Sequence, residues 1–167
     1  MDDTKKQQEE VKDVKKISKA KTKAAEEMQF YAGNGRRKTA TATARLYPFT
    51  TEVVVQGKKL ERGEIYVNGK SASQYFPGPY AKEYLAELFR TTNASNRFIT
   101  TAIVVGSGPT GQIGAVGLAI ARALVLVDPK LKTTLRKKGY ITRDPRSKER
   151  KKPGLMGARK EKQSPKR

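Results

Sequence analysis

An α+β fold, with helices laid on one face of a sheet, is what the central hundred residues of this chain predict, followed by an extension too polar to fold. Three observations carry the prediction. Residues 39–47 read Thr-Ala-Thr-Ala-Thr-Ala-Arg-Leu-Tyr, a period-two alternation. Ile113, Val116, Ile120, Leu124 and Val127 recur at helical spacing after a β-branched run. Residues 136–167 hold 14 Lys or Arg against Asp144, Glu149 and Glu161, an excess of +11 out of +20 for all 167 residues.

Taken in order, residues 1–28 mix Lys with Asp and Glu around little more than Val11, Val14 and Ile17, and are expected to be a disordered, solvated arm. Order should begin near Phe30. In the alternating run, Ala40, Ala42, Ala44 and Leu46 face inward, while Thr39, Thr41, Thr43 and Arg45 present hydroxyls and a guanidinium outward, groups suited to phosphate and sugar. Further strands are expected at residues 52–56 and 65–67, the latter closed by the Asn68-Gly69 turn. Pro77-Gly78-Pro79 breaks the chain. Ala81, Tyr84, Leu85, Leu88 and Phe89 then share a helix face, and residues 97–105 return as a strand. The longest helix spans about residues 112–127, Asp128-Pro129 opens a short one through Leu135, and Gly139 stops it. This defines a domain over residues 29–135 and a tail over 136–167.

Composition removes several function classes. No run is read as approaching the ~18 apolar residues of a membrane span, and the charged N-terminus lacks the apolar stretch of a secretory signal. With neither cysteine nor histidine, disulfides, imidazole catalysis and most transition-metal sites drop out. A cytoplasmic protein without cofactor is expected. Glu52, Glu61, Glu64, Glu83 and Glu87 are scattered among lysines, which fits surface charge better than a catalytic cluster.

The Gly106-to-Gly111 run matches G-x-G-x-x-G between a strand and a helix, the context of a dinucleotide fingerprint. Taking residues 124–128 as the next strand leaves no loop to reverse the chain, and no sequence remains for further parallel strands. The glycines are better read as a close turn leading into a helix N-terminus that can face a phosphate.

Gly33-to-Lys38, Gly106-to-Gln112, Ala119-to-Leu124, Thr142-to-Arg146, Glu149-to-Lys152 and the terminal Lys166-Arg167 together resemble, in order, the bacterial-type small-subunit ribosomal protein nine family. The resemblance implies a small mixed sheet of the ribosomal-protein-five domain-two type, with a left-handed βαβ crossover. It also implies binding to the 3′ domain of small-subunit ribosomal RNA in the subunit head, beside neighbouring head proteins, and a tail reaching peptidyl-site transfer RNA. No membrane, no homo-oligomer and no enzymatic activity are implied. By this resemblance Arg36, Arg37 and Lys38 form a first RNA-contacting cluster. Arg143, Arg146, Arg150, Lys151 and Lys152 form the tail contacts, and Lys166 and Arg167 the tip on transfer RNA. Arg45, Arg122, Arg136, Lys137, Lys138, Arg159 and Lys160 complete the candidate ribosomal RNA contacts. Gly117 and Leu118 stand where the family often has Arg-His, and Pro165 replaces a serine beside the final pair. The stretch 50–63 resembles an enlarged hairpin.

A long basic segment without a core can enter a crevice between RNA helices that excludes a folded domain, neutralising phosphates along it. At about 3.3 Å per residue, 32 residues reach roughly 100 Å. The alternatives are a free nucleic-acid chaperone, which bulk charge alone would permit, and a dinucleotide enzyme using Gly106 to Gly111.

Overall fold

The computed structural model describes residues 30–48, 54–55, 58–60 and 62–166. The expected N-terminal arm, most of the strand at 52–56 and Arg167 lie outside the described residues.

The alternating run forms β2 (Ala40–Pro48), and its parity is as expected: Ala40, Ala42, Ala44 and Leu46 are fully buried, while Thr41 and Arg45 are exposed. A strand that the periodicity did not predict, β1 (Tyr31–Arg37), pairs with it antiparallel, Gly33 opposite Ala44 and Gly35 opposite Ala42. Gly33 and Gly35 lower the intrinsic strand preference of this segment, which hides it from propensity. Its physical reason lies across the sheet. A Cβ on Gly33 would strike the carbonyl oxygen of Ala119, and one on Gly35 that of Ala115.

The rest of the main sheet comprises β5 (Ile65–Val67), β6 (Lys70–Ser71) and β7 (Phe98–Val105), in the order β1-β2-β7-β5-β6. β7 runs antiparallel to β2, Thr41 opposite Val105, and parallel to β5, Val67 opposite Ala102. The Asn68-Gly69 turn joins β5 to β6 with both residues at positive φ (49° and 79°), as the dipeptide predicts. β3 (Val54–Val55) and β4 (Lys58–Lys59) pair with each other in a separate two-stranded sheet among the described residues.

Between the parallel strands β5 and β7 the chain passes through β6, α1 (Ala72–Tyr75) and α2 (Pro79–Thr91). Gly78 at φ 122° and Pro79 at the first helical position start α2, which buries Ala81, Leu85 and Leu88. α3 (Pro109–Val127) begins three residues earlier than the apolar spacing suggests, because Pro109 supplies a helix-ready φ. α4 (Leu131–Lys137) follows. Gly139, at φ 79°, then lets the Tyr140 N–H reach the Leu135 carbonyl at 3.0 Å, closing a Schellman-type end.

Among the described residues, α3 is long and apolar enough to cross a membrane, contrary to the expectation that no run approached that length. It serves as the core helix instead. Val116, Ile120 and Leu124 are fully covered, and Ala115, Ala119 and Ala123, four residues apart, lie on the β1 glycines. Leu135 and Tyr140 join the same core cluster. With helices on one side, the other face of the sheet is open at Ile103 and Val105, 60% and 69% exposed, whereas toward its other end Tyr47 and Ile99 are buried with Leu60 packed against them.

Candidate nucleic-acid interface

Strand parity separates the cations of the β1–β2 hairpin. Arg36 pairs with Thr41 on the open face and is exposed, whereas Arg37 pairs with Ala40 and points to the helix side. Lys38 forms the turn at φ 52°, also exposed. On the open face, the Thr43 hydroxyl donates to Asn34 Oδ1 at 3.0 Å, and the Arg45 guanidinium stacks 5.0 Å from the centre of the Phe30 ring.

Arg37 is directed inward. Its side chain crosses Gly114 of α3, where any Cβ would strike it. Nη2 lies 3.5 Å from Asp144 Oδ2, and Nε is buried without a partner. Arg122 is exposed on α3 and donates to the backbone carbonyl of Asn34 at 2.7 Å, on the outer edge of β1. Gly117 and Leu118 offer no surface to a ligand, because Leu118 is buried and a Cβ at 117 would lie 2.5 Å from the Tyr84 ring.

The end of α4 gathers Arg136, Lys137 and Lys138, all exposed, where the helix carbonyls favour positive charge. Lys138 Nζ meets Glu87 Oε1 at 3.0 Å, and this bond holds the Glu87 carboxyl below its ordinary range. Burial, then Glu87, push the neighbouring Tyr140 hydroxyl up to about 12. Tyr84 and Tyr140 face each other at 5.5 Å, and Tyr80 stacks on Tyr84 at 6.0 Å.

In the glycine-rich run after β7, Gly106 and Gly111 sit in close approaches whereas Gly108 faces open space. Gly106 has φ 81° and approaches the Thr39 carbonyl, so that an added Cβ would lie 2.5 Å from its oxygen. Residues 124–127 continue α3 and form no strand, which leaves the dinucleotide arrangement without its second strand.

In the tail, Arg146 grips Asp144 through Nε and Nη2 at 2.8–3.1 Å, and the Arg146 side-chain bonds, foremost, hold the Asp144 carboxyl far below its usual range. Arg159 grips Glu149 likewise, at 3.0 and 2.6 Å. That pair closes a loop containing Lys152 N–H to Gly157 O and Met156 N–H to Lys160 O, at 3.4 and 2.8 Å. Arg143, Arg150, Lys151, Lys152, Lys160 and Lys166 are exposed and make no ion pair among the described residues.

Of the hairpin cations, the structure thus brings Arg37 to the tail root, where Asp144 also holds Arg146, while Arg36 and Lys38 stay exposed on the hairpin. Arg45 stays at the far end of β2, and Arg122 on the β1 edge. Asp144 is no cation, so the charge pattern of the tail does not single it out. Its signal was an acid two residues from arginine in an otherwise basic run. A family model described as ribosomal protein S9/S16 matches residues 35–167.

Proposed function

The chain belongs to the ribosomal protein S9 family, structural and non-enzymatic constituents of the small ribosomal subunit that bind its RNA, and on that premise we propose that its tail tip contacts peptidyl-site transfer RNA. The observation behind this reading is the state of the last described residues. Beyond the Met156–Lys160 bond the chain through Lys166 is exposed and makes no hydrogen bond or ion pair among the described residues, while the preceding loop is tied by its own ion pair. Lys166 and Arg167 supply charge-assisted donors to an anticodon stem-loop.

We propose further that the exposed cations Arg36, Lys38, Arg143, Arg150, Lys151 and Lys152 meet ribosomal RNA of the 3′ domain in the subunit head, next to other head proteins. Arg45, Arg122, Arg136, Lys137, Lys138, Arg146, Arg159 and Lys160 add charge around them. Arginine brings a planar fork for phosphate, and lysine a less directional charge.

Deleting Lys166 and Arg167 is expected to leave subunit assembly intact and weaken peptidyl-site transfer RNA binding. Equal transfer RNA affinity in reconstituted truncated subunits refutes the tip contact. Co-sedimentation at one copy per small subunit at moderate salt separates this role from that of a free nucleic-acid chaperone, whose loading would vary.

A further inference from the structure

A tail that worked only by charge would contain no acid, since each carboxylate subtracts from its attraction to RNA. Asp144 sits in that tail and is fully engaged. Its Oδ1 accepts the Arg146 backbone N–H and Nε, both at 3.0 Å. Its Oδ2 accepts Arg146 Nη2 at 2.8 Å and faces Arg37 Nη2 at 3.5 Å.

The route from Arg37 to Asp144 has three parts. Pairing of Arg37 with Ala40 aims its side chain to the helix side of the sheet. Gly114 clears the path, because a Cβ there would collide with the guanidinium arm. Asp144 receives the end of it. On the tail side, Pro145 has a fixed φ and no N–H, so Asp144, Pro145 and Arg146 form a stiff corner closed by the carboxylate. Tyr140, buried four residues upstream, anchors the other end.

We propose that Asp144 is a positioning residue: by joining Arg37 of the domain to Arg146 of the tail, it sets the direction in which the extension leaves the domain and so aims the tip. The proposal rests on the tail reading above. It also assigns Arg37 to holding the tail root, leaving Arg36 and Lys38 to face RNA.

Asp144→Asn separates this from plain electrostatics, because it raises the net charge by one while removing the clamp. The chain has no cysteine, so Thr39→Cys and Lys148→Cys accept spin labels cleanly on the full-length protein. Pulsed electron resonance should give a narrow distance distribution, at least twice as broad with Asp144→Asn, and narrowed again with Asp144→Glu. Equal widths overturn the clamp.

In reconstituted small subunits, a photo-crosslinker at Gln163 should lose at least fivefold of its yield on peptidyl-site transfer RNA with Asp144→Asn. Affinity for an unrelated RNA stays equal or rises. An unchanged yield overturns the aiming role. If the unmodified tail gives no transfer RNA crosslink at all, the tip contact itself fails, and the resonance measurement still decides the clamp.

Discussion

The sheet under α3 and the tail beyond Tyr140 hold their shapes by opposite means. Under α3, Gly33 and Gly35 on β1 lie against the alanine row of the helix, and the backbones approach so closely that no Cβ fits between them. In the tail, two acids among many cations do the equivalent work: Asp144 ties Arg146 and Arg37, and Glu149 ties Arg159. Dispersion between packed atoms is indifferent to salt, whereas exposed ion pairs are screened by it. One chain therefore carries a packed seam that salt leaves unchanged and an extension whose ion-paired shape salt weakens.

A side chain added to the seam between β1 and α3 should have the largest effect. Gly35→Val is expected to abolish the cooperative thermal transition seen by circular dichroism, because the intruding atoms meet a helix carbonyl that cannot move independently. Next in size, Leu135→Ala should destabilise by about 3 kcal/mol in urea titration, through loss of a fully buried side chain joining α4 to the core.

Alkaline titration then tests the junction between the two regions. The folded state raises the Tyr140 hydroxyl from 10.0 to about 12, so its neutral form is favoured by folding. That contribution is complete below pH 10 and is lost as pH rises toward 12. Tyr140→Phe should remove one late-titrating phenol from the ultraviolet absorbance curve, leaving Tyr84, which burial also raises.

The smallest effect belongs to the tail. Glu149→Gln is expected to leave the unfolding midpoint unchanged while speeding amide exchange at Met156, inside the loop that Glu149 and Arg159 close. Salt at 1 M should do the same to the unmodified protein. The Glu149 carboxyl is held below its ordinary 4.5 by Arg159, so the pair persists above that pH and is lost as acid protonates it. A change in the global midpoint comparable to that of Leu135→Ala would erase the distinction between the regions.

Much of the fold was legible wherever one face of an element carries the burial. The Ala-Thr alternation announced β2, Asn68-Gly69 announced its turn, and Ile113 to Leu124 announced α3. β1 was not legible, because Gly33 and Gly35 look like a loop until the helix that needs their missing side chains is in place. Of the candidate site, the cations were readable as charge. That Arg36 and Arg37 part to opposite sides was not, since without β1 there is no parity to divide them. Asp144 was visible only as an impurity in a basic run.

Local chemistry in the sequence alone determined the elements with a one-sided apolar pattern, the absence of cysteine and histidine, and the accumulation of positive charge at the C-terminus. These follow from each residue's own solvation and backbone preferences, which need no distant partner. Tertiary structure alone decided where the backbones of β1 and α3 touch, which arginine turns toward solvent, and how Asp144 joins the tail root to the hairpin. Each of those is a meeting of groups far apart along the chain, and its energy depends on a distance that exists only after folding.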